Sequence, residues 1–248
     1  MIERKTQSRK MPLRAVTFAV IAAVLAGCGG KPPAPGEIWD PYEAQNRRVH
    51  ALNTKIDSLA LRRASLPGPV GRAASNAANN LGLPAAVVNS LLQAEGEHAV
   101  RNSLRFVINS TIGLAGVFDP AGAMGVQEAS TDFGATLARW GWGEGAYVEL
   151  PVLGPSTERD ALGRVVDLVI DPLNFTLRGT EAQVAAGVKM AGRIGDRQRY
   201  GDTIDSVLYD SADSYAQTRL YYLQSRRHEL GQTAAEDSYD PYEDPYHE

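Results

Sequence analysis

The stretch Leu104-Arg105-Phe106-Val107-Ile108-Asn109-Ser110-Thr111-Ile112-Gly113-Leu114-Ala115-Gly116-Val117-Phe118-Asp119-Pro120 decides the fold class. Leu104, Val107, Ile108, Thr111 and Ile112 recur at intervals of three and four, the spacing of one helical face. From Ile112 to Phe118 the chain carries no charge, includes Gly113 and Gly116, and is too short to span a bilayer. Two readings of that segment follow from residue physics. One is a buried helix end packed through glycines; the other is an apolar turn dipping into a lipid interface.

The same period runs outward on both sides. Val49, Leu52, Ile56, Leu59 and Ala60 share a face of a helix starting near Tyr42. Pro84 suits a first helical turn, with Val87, Val88, Leu91 and Leu92 following at helical spacing. Leu162, Val165, Val166 and Val169 form another stripe, which Asp171-Pro172 should end or kink. Thr180 to Arg199 reads as helix despite its three glycines, and Asp205 to Arg227 as one long aromatic-bearing C-terminal helix. The break lies from Gly141 to Pro151, where Gly141, Gly143 and Gly145 alternate before Tyr147-Val148-Glu149-Leu150; this predicts a loop or short hairpin. The expectation is a mostly α, single-domain chain.

Its ends are different. Arg4, Lys5, Arg9, Lys10 and Arg14 precede an apolar run, Ala15 to Ala26, that closes on Leu25-Ala26-Gly27-Cys28. This is the pattern of a secretory signal, resembling the bacterial lipobox in which the cysteine is acylated and becomes the mature N-terminus. Cys28, the only cysteine, is therefore the expected lipid anchor, with 1–27 removed and 221 of the 248 residues retained. A single thiol excludes a disulfide framework. Residues 28–39 read as a Gly/Pro-rich lipidated tether, 40–232 as the helical domain, and 233–248 as a disordered acidic tail. That tail holds six acidic residues from Ala235 onward and repeats Asp-Pro-Tyr at 240–242 and 244–246. The formal net charge of −4 lacks the basic excess a nucleic-acid binder needs.

Catalytic chemistry is sparse. His50, His98, His228 and His247 form no metal-spacing pair, so neither a metal nor another cofactor is expected. Gly154-Pro155-Ser156-Thr157-Glu158 lacks the second glycine of a nucleophile elbow, and no strand–turn–helix context is expected around it. Asp119, Asp132, Asp160 and Asp167 read as caps and ion-pair partners; Asp160 beside Arg159 suits a helix N-terminus. A non-enzyme is expected.

Ordered blocks carry a family resemblance from about Asp40 to Leu230. They are Asp40-Pro41-Tyr42-Glu43 with Asn46-Arg47 and Asn53; Asn76, Asn80-Leu81, Pro84, Val88-Asn89 and Leu91-Leu92-Gln93; and Arg105-Phe106, Asn109-Ser110-Thr111, Gly113, Gly116 and Phe118-Asp119-Pro120-Ala121. The longest runs through Asp132-Phe133-Gly134, Trp140-Gly141, Gly143, Gly145, Tyr147, Leu150-Pro151, Gly154-Pro155-Ser156, Arg159-Asp160, Gly163 and Asp167. The sequence resembles the MlaA/VacJ family of outer-membrane lipoproteins. Ala44-Gln45, His50, Ala77 and Ala94 depart from it, standing where the family favours aromatics or, at 94, glycine.

The resemblance implies a ring-like helical assembly with amphipathic membrane-embedded helices in the periplasmic leaflet of the outer membrane. It implies removal of mislocalised phospholipid from the outer leaflet and transfer to a periplasmic lipid-binding carrier protein, in association with a trimeric porin. Two rivals are a structural porin-associated envelope lipoprotein without a lipid channel, and a lipid hydrolase. Residue roles follow as expectations. Gly141, Gly143 and Gly145 are a channel gate or hinge, or else a tight turn. Ile112, Leu114, Val117 and Phe118 contact lipid. Asn46, Arg47, Asn53 and Asn109 either connect helices through hydrogen bonds or line the channel.

Overall fold

The computed structural model describes residues 38–232. The signal segment, Cys28, the tether up to residue 37 and the acidic tail lie outside the described residues. Trp39, which the sequence assigns to the tether, already joins the fold: its carbonyl accepts the Tyr147 N–H at 2.9 Å.

Helix α1, Glu43–Ile56, runs directly into a π-helical turn, Asp57–Leu61. The turn puts the buried Asp57 carboxylate against Arg197, at 2.8 and 3.0 Å, and the Tyr209 hydroxyl, at 2.8 Å. Helix α2, Gly68–Asn80, opens on Pro69, and α3, Leu83–Leu92, on Pro84, each in a first turn where the missing N–H costs nothing. Helix α4, Gly96–Thr111, leads through the quoted glycine segment to the short α5, Pro120–Ala123, capped by Asp119. Asp132 caps α6, Phe133–Arg139, through the Ala135 N–H at 2.8 Å.

An antiparallel hairpin follows: β1, Tyr147–Leu150, and β2, Gly154–Thr157, with Tyr147 opposite Thr157 and Leu150 opposite Gly154. Then come α7, Glu158–Ile170, capped by Thr157, and α8, Pro172–Thr176, capped by Asp171. The chain ends in α9, Thr180–Arg199, α10, Gly201–Leu208, and α11, Ser214–Glu229. The described residues are thus mostly helical with one small hairpin, within a single compact unit.

Close approach of small residues joins the helices. A Cβ on Gly195 of α9 would strike the Gly71 carbonyl of α2 and come within 2.7 Å of Ser75 Oγ. Ser75 in turn donates to the Gly71 carbonyl at 3.1 Å and the Gly192 carbonyl at 3.3 Å. Helices α6 and α7 meet through Gly134 and Gly163 in the same way. Among the described residues the buried apolar cluster of large side chains is small, built of Tyr147, Tyr215 and Leu223 with Tyr222 against it.

Four sequence readings need correction. The C-terminal helix is two: Asp213 accepts the Ala216 N–H at 3.1 Å and starts α11 afresh after the break at Tyr209. The hairpin reaches past Pro151 to Thr157, and Gly141, Gly143 and Gly145 lie in the loop before it. A strand-then-helix step does surround Ser156, but that hydroxyl is fully buried on the Thr157 carbonyl, so no exposed nucleophile results. The most consequential concerns which face is buried. On α1 and its π-helical turn the inward residues are Asn46, His50 and Asp57, while Leu52 and Leu59 face out.

Candidate functional site

Helix α4 shows how this inversion is built. Asn102, Arg105 and Asn109 recur at intervals of three and four and are buried; Val100, Leu104 and Val107 are exposed. The buried side chains hold the following loop as backbone surrogates. Asn102 donates to the Ala129 carbonyl at 2.8 Å and accepts the Ala129 N–H at 3.1 Å. Asn109 donates to Asp119 at 2.8 Å and accepts the Ala121 N–H at 3.1 Å. Arg105 grips both Asp119 oxygens at 3.1 and 3.2 Å and also donates to the Val126 carbonyl. Burial works against the Asp119 charge, yet donors from Gly122, Asn109 and Arg105 outweigh it and hold the carboxyl below its usual range.

The segment between α4 and α5 turns its apolar side chains outward. Leu114 is 64% and Phe118 59% exposed, with Ile112 and Val117 also exposed. Its backbone is strained, since Leu114 and Ala115 are consecutive non-glycine residues at φ of 51° and 58°. Bonds from Gly116 N–H to the Asn109 carbonyl, at 2.8 Å, and from Phe118 N–H to the Gly113 carbonyl, at 2.9 Å, fix the loop. Trp140 and Trp142 are half exposed, and Trp140 donates to the Leu92 carbonyl at 3.3 Å. Indoles with one apolar and one polar side suit a water–lipid boundary.

A second polar network lies beneath α3. Asn89 donates to Asp167 at 2.8 Å and accepts from Thr136 at 2.9 Å; Gln93 donates to Thr136 at 2.8 Å and Thr131 at 2.7 Å. Burial raises the Asp167 carboxyl above its usual range despite donors from Phe133 and Asn89. Beside this network opens a polar cleft of about 340 Å³, whose lining includes Gln93, His98, Thr131, Asp132, Arg139 and Arg226. A smaller hollow of about 130 Å³ shares Asp132, Arg226 and Glu229 with it. Arg226 bridges Asp132 at 2.6 Å and Asp160 at 3.1 Å, and Tyr222 donates to Asp160 at 2.7 Å. The cleft carries charges of both signs, among them Asp132 paired with Arg226 and Glu95 paired with Arg139.

One arrangement has the outline of a hydrolytic centre. His50 Nε2 lies 3.1 Å from Ser214 Oγ, and His50 Nδ1 lies 3.4 Å from Glu149. His50 and Glu149 are buried, and Ser214 opens α11, where the Asp213 carboxylate, held down to about 2 chiefly by Arg47, accepts the Ala216 N–H at 3.1 Å as the helix cap. Among the described residues no cluster of metal-ligand type occurs.

The sequence-proposed residues fall in separate places. Asn46 donates to the Tyr147 carbonyl at 3.0 Å and accepts the Glu149 N–H at 2.9 Å. Asn53 donates to the Leu150 carbonyl at 3.0 Å and accepts the Val152 N–H at 2.7 Å. Both tie α1 to the hairpin, and Arg47 ties it to Asp213 at 2.8 and 3.0 Å. Asn109 sits in the Asp119 network. Gly141, at φ 89°, ends α6 in a double-bonded cap: its N–H reaches the Ala138 carbonyl at 2.9 Å, and the Trp142 N–H reaches that of Leu137 at 2.9 Å. Gly143 has open space around it, while a Cβ on Gly145 would meet Glu158 at 2.7 Å. Sequence reading missed Asn89, Asn102 and Arg226. The helical spacing of Asn102, Arg105 and Asn109 was the available signal.

Helices packed through buried asparagines and arginines, with many large apolar side chains exposed and a charged cleft beside them, define the described fold. The chain belongs to the MlaA lipoprotein family, whose model matches residues 38–229. It is 30% identical over 230 residues to the intermembrane phospholipid transport system lipoprotein MlaA of Escherichia coli, covering 89% of each chain. The Haemophilus influenzae protein of that name is 29% identical, over 87% of this chain and 90% of its own. An uncharacterized protein of Rickettsia bellii is 32% identical, over 77% and 76%. A solved structure from work on the maintenance of bacterial outer membrane lipid asymmetry matches with a TM-score of 0.65 and 30% identity. It covers 77% of this chain and 98% of that one.

Proposed function

We propose that this chain is an outer-membrane lipoprotein, anchored through Cys28, that removes mislocalised phospholipids from the outer leaflet. It passes them to a periplasmic lipid-binding carrier and so maintains lipid asymmetry. The observation that carries this reading is the inverted burial: Asn102, Arg105 and Asn109 inside while Leu104, Val107, Ile112, Leu114 and Phe118 face out. Apolar side chains presented together mark a surface meant for lipid or a partner. No helix among the described residues is long and apolar enough to cross a membrane, which agrees with helices embedded in one leaflet around a ring. The polar cleft offers headgroups a path while acyl tails stay in hydrocarbon. A trimeric porin beside the ring would complete the outer-membrane site. No bond is broken in such transfer, so the protein acts as a transporter rather than an enzyme, and Ser214 serves α11 rather than chemistry.

The test is genetic. Deleting the gene should raise outer-leaflet phospholipid, with rescue by the wild type but not by Cys28→Ala. Unchanged surface phospholipid would leave a merely structural lipoprotein; lysophospholipid released by the purified protein would restore the hydrolase.

A further inference from the structure

From Arg48 to Ala94 the chain contains Arg48, Lys55, Arg62, Arg63 and Arg72 but a single acid, Asp57. That acid is buried against Arg197. The exposed charges that this stretch contributes are therefore all cationic, and all lie between Arg48 and Arg72. Arg62 turns to Asp205 at 2.9 Å, whereas Arg48, Lys55, Arg63 and Arg72 are exposed and enter no ion pair among the described residues.

Their placement is regular. Arg48, Leu52, Lys55 and Leu59 follow one another at intervals of four, three and four along one exposed side of α1 and its π-helical turn. Arg63 continues four residues later. Gln198 of α9 then bonds the Ser65–Leu66 loop, at 3.3 Å to Ser65 Oγ and 3.0 Å from the Leu66 N–H. This brings Arg199, stacked on exposed Tyr200 at 5.6 Å, to the same end as Val70 and Arg72.

We propose that this face lies on the headgroup plane of the leaflet and takes anionic phospholipid as its partner. Cations unmatched by protein carboxylates, with long stems beside outward leucines, are what a helix needs to rest there. The leucines enter the acyl boundary and the ammonium and guanidinium groups reach lipid phosphates. The lipobox cysteine, fifteen residues before α1, keeps the face near a bilayer. An acidic protein is the competing occupant. The intervening exposed leucines and the absence of any exposed acid between Arg48 and Ala94 favour lipid. The inference rests on the leaflet location proposed above, and extends it from the apolar loop to a charge-selective contact.

The mature lipoprotein, placed in nanodiscs of phosphatidylethanolamine with or without phosphatidylglycerol, provides the test. With Cys28 acylated, Leu59→Cys gives a unique thiol for an environment-sensitive fluorophore, read by quenching from headgroup-nitroxide lipid. Quenching should rise with phosphatidylglycerol and fall with salt. Replacing Lys55, Arg63 and Arg72 with Gln should weaken this docking by roughly 100-fold, from about 1 kcal/mol per cation. Quenching that ignores phosphatidylglycerol overturns the proposal, as does photo-cross-linking from position 59 in cells that captures a periplasmic protein instead of lipid. A second label at Leu114→Cys separates the two readings. Quenching there by acyl-chain nitroxide, with none at 59, overturns only this inference; quenching at neither site overturns the leaflet location as well.

Discussion

Two neighbouring positions on α4 should respond opposite to hydrophobicity. Asn102→Leu makes the helix more apolar, at a side chain with no exposure at all. It removes a donor at 2.8 Å and an acceptor at 3.1 Å, both serving Ala129. Two buried backbone groups are then stranded, each at about 1–3 kcal/mol, so the fold should lose roughly 2–5 kcal/mol. Leu104→Gln makes the helix more polar at a side chain 46% exposed, and in detergent should change stability by under about 0.5 kcal/mol. Its cost appears only with lipid, where burial of the half-exposed leucine contributes about 1 kcal/mol. Chemical denaturation in a non-ionic detergent, followed by far-UV circular dichroism, measures both. If Asn102→Leu keeps the wild-type midpoint, or Leu104→Gln unfolds the protein, the inside-out reasoning is wrong.

Other outcomes follow from single positions. Ala94 ends α3 at φ 58°, with Ala94 and Glu95 N–H groups closing on Leu91 and Ser90, where the resembled family places glycine. Ala94→Gly should therefore stabilise by about 0.5–1 kcal/mol, a rise of roughly 1–4 °C by thermal melt. Gly195→Ala should destabilise by about 1–3 kcal/mol, because the Gly71 carbonyl cannot move aside; a wild-type melt would show that α2 and α9 can part. Asp213 titrates near 2 chiefly through Arg47, below its ordinary 3.8. Its support for the α1–α11 contact is complete above pH 4 and lost as pH falls toward 2. Carboxyl NMR of Arg47→Ala should return that titration toward 3.8.

Elements were largely legible because prolines and caps act locally: Pro84, Pro172 and the span Thr180–Arg199 fell where periodicity put them. The split at Tyr209 was hidden because aromatic and aliphatic residues continue the helical pattern through it; Asp213 as a cap was the overlooked cue. Which face is inward was not legible on α1. Periodicity finds two faces and says nothing of the solvent each meets, and here the asparagines were the inner ones. The networks themselves join distant residues, as Asn46 and Glu149 are 103 apart, so no local pattern announces them.

The asparagines of α1 have one more effect. A two-stranded hairpin offers two open edges, each a row of unpaired N–H and C=O groups onto which another chain can add a strand. Asn46 and Asn53 place carboxamides along β1, taking the Tyr147 and Leu150 carbonyls and the Glu149 and Val152 N–H groups. A helix thereby does the work of a third strand without being one. The β1 edge of the hairpin is closed to strand addition by neighbours, and substitutions at 46 or 53 should show themselves first as self-association rather than as loss of helix.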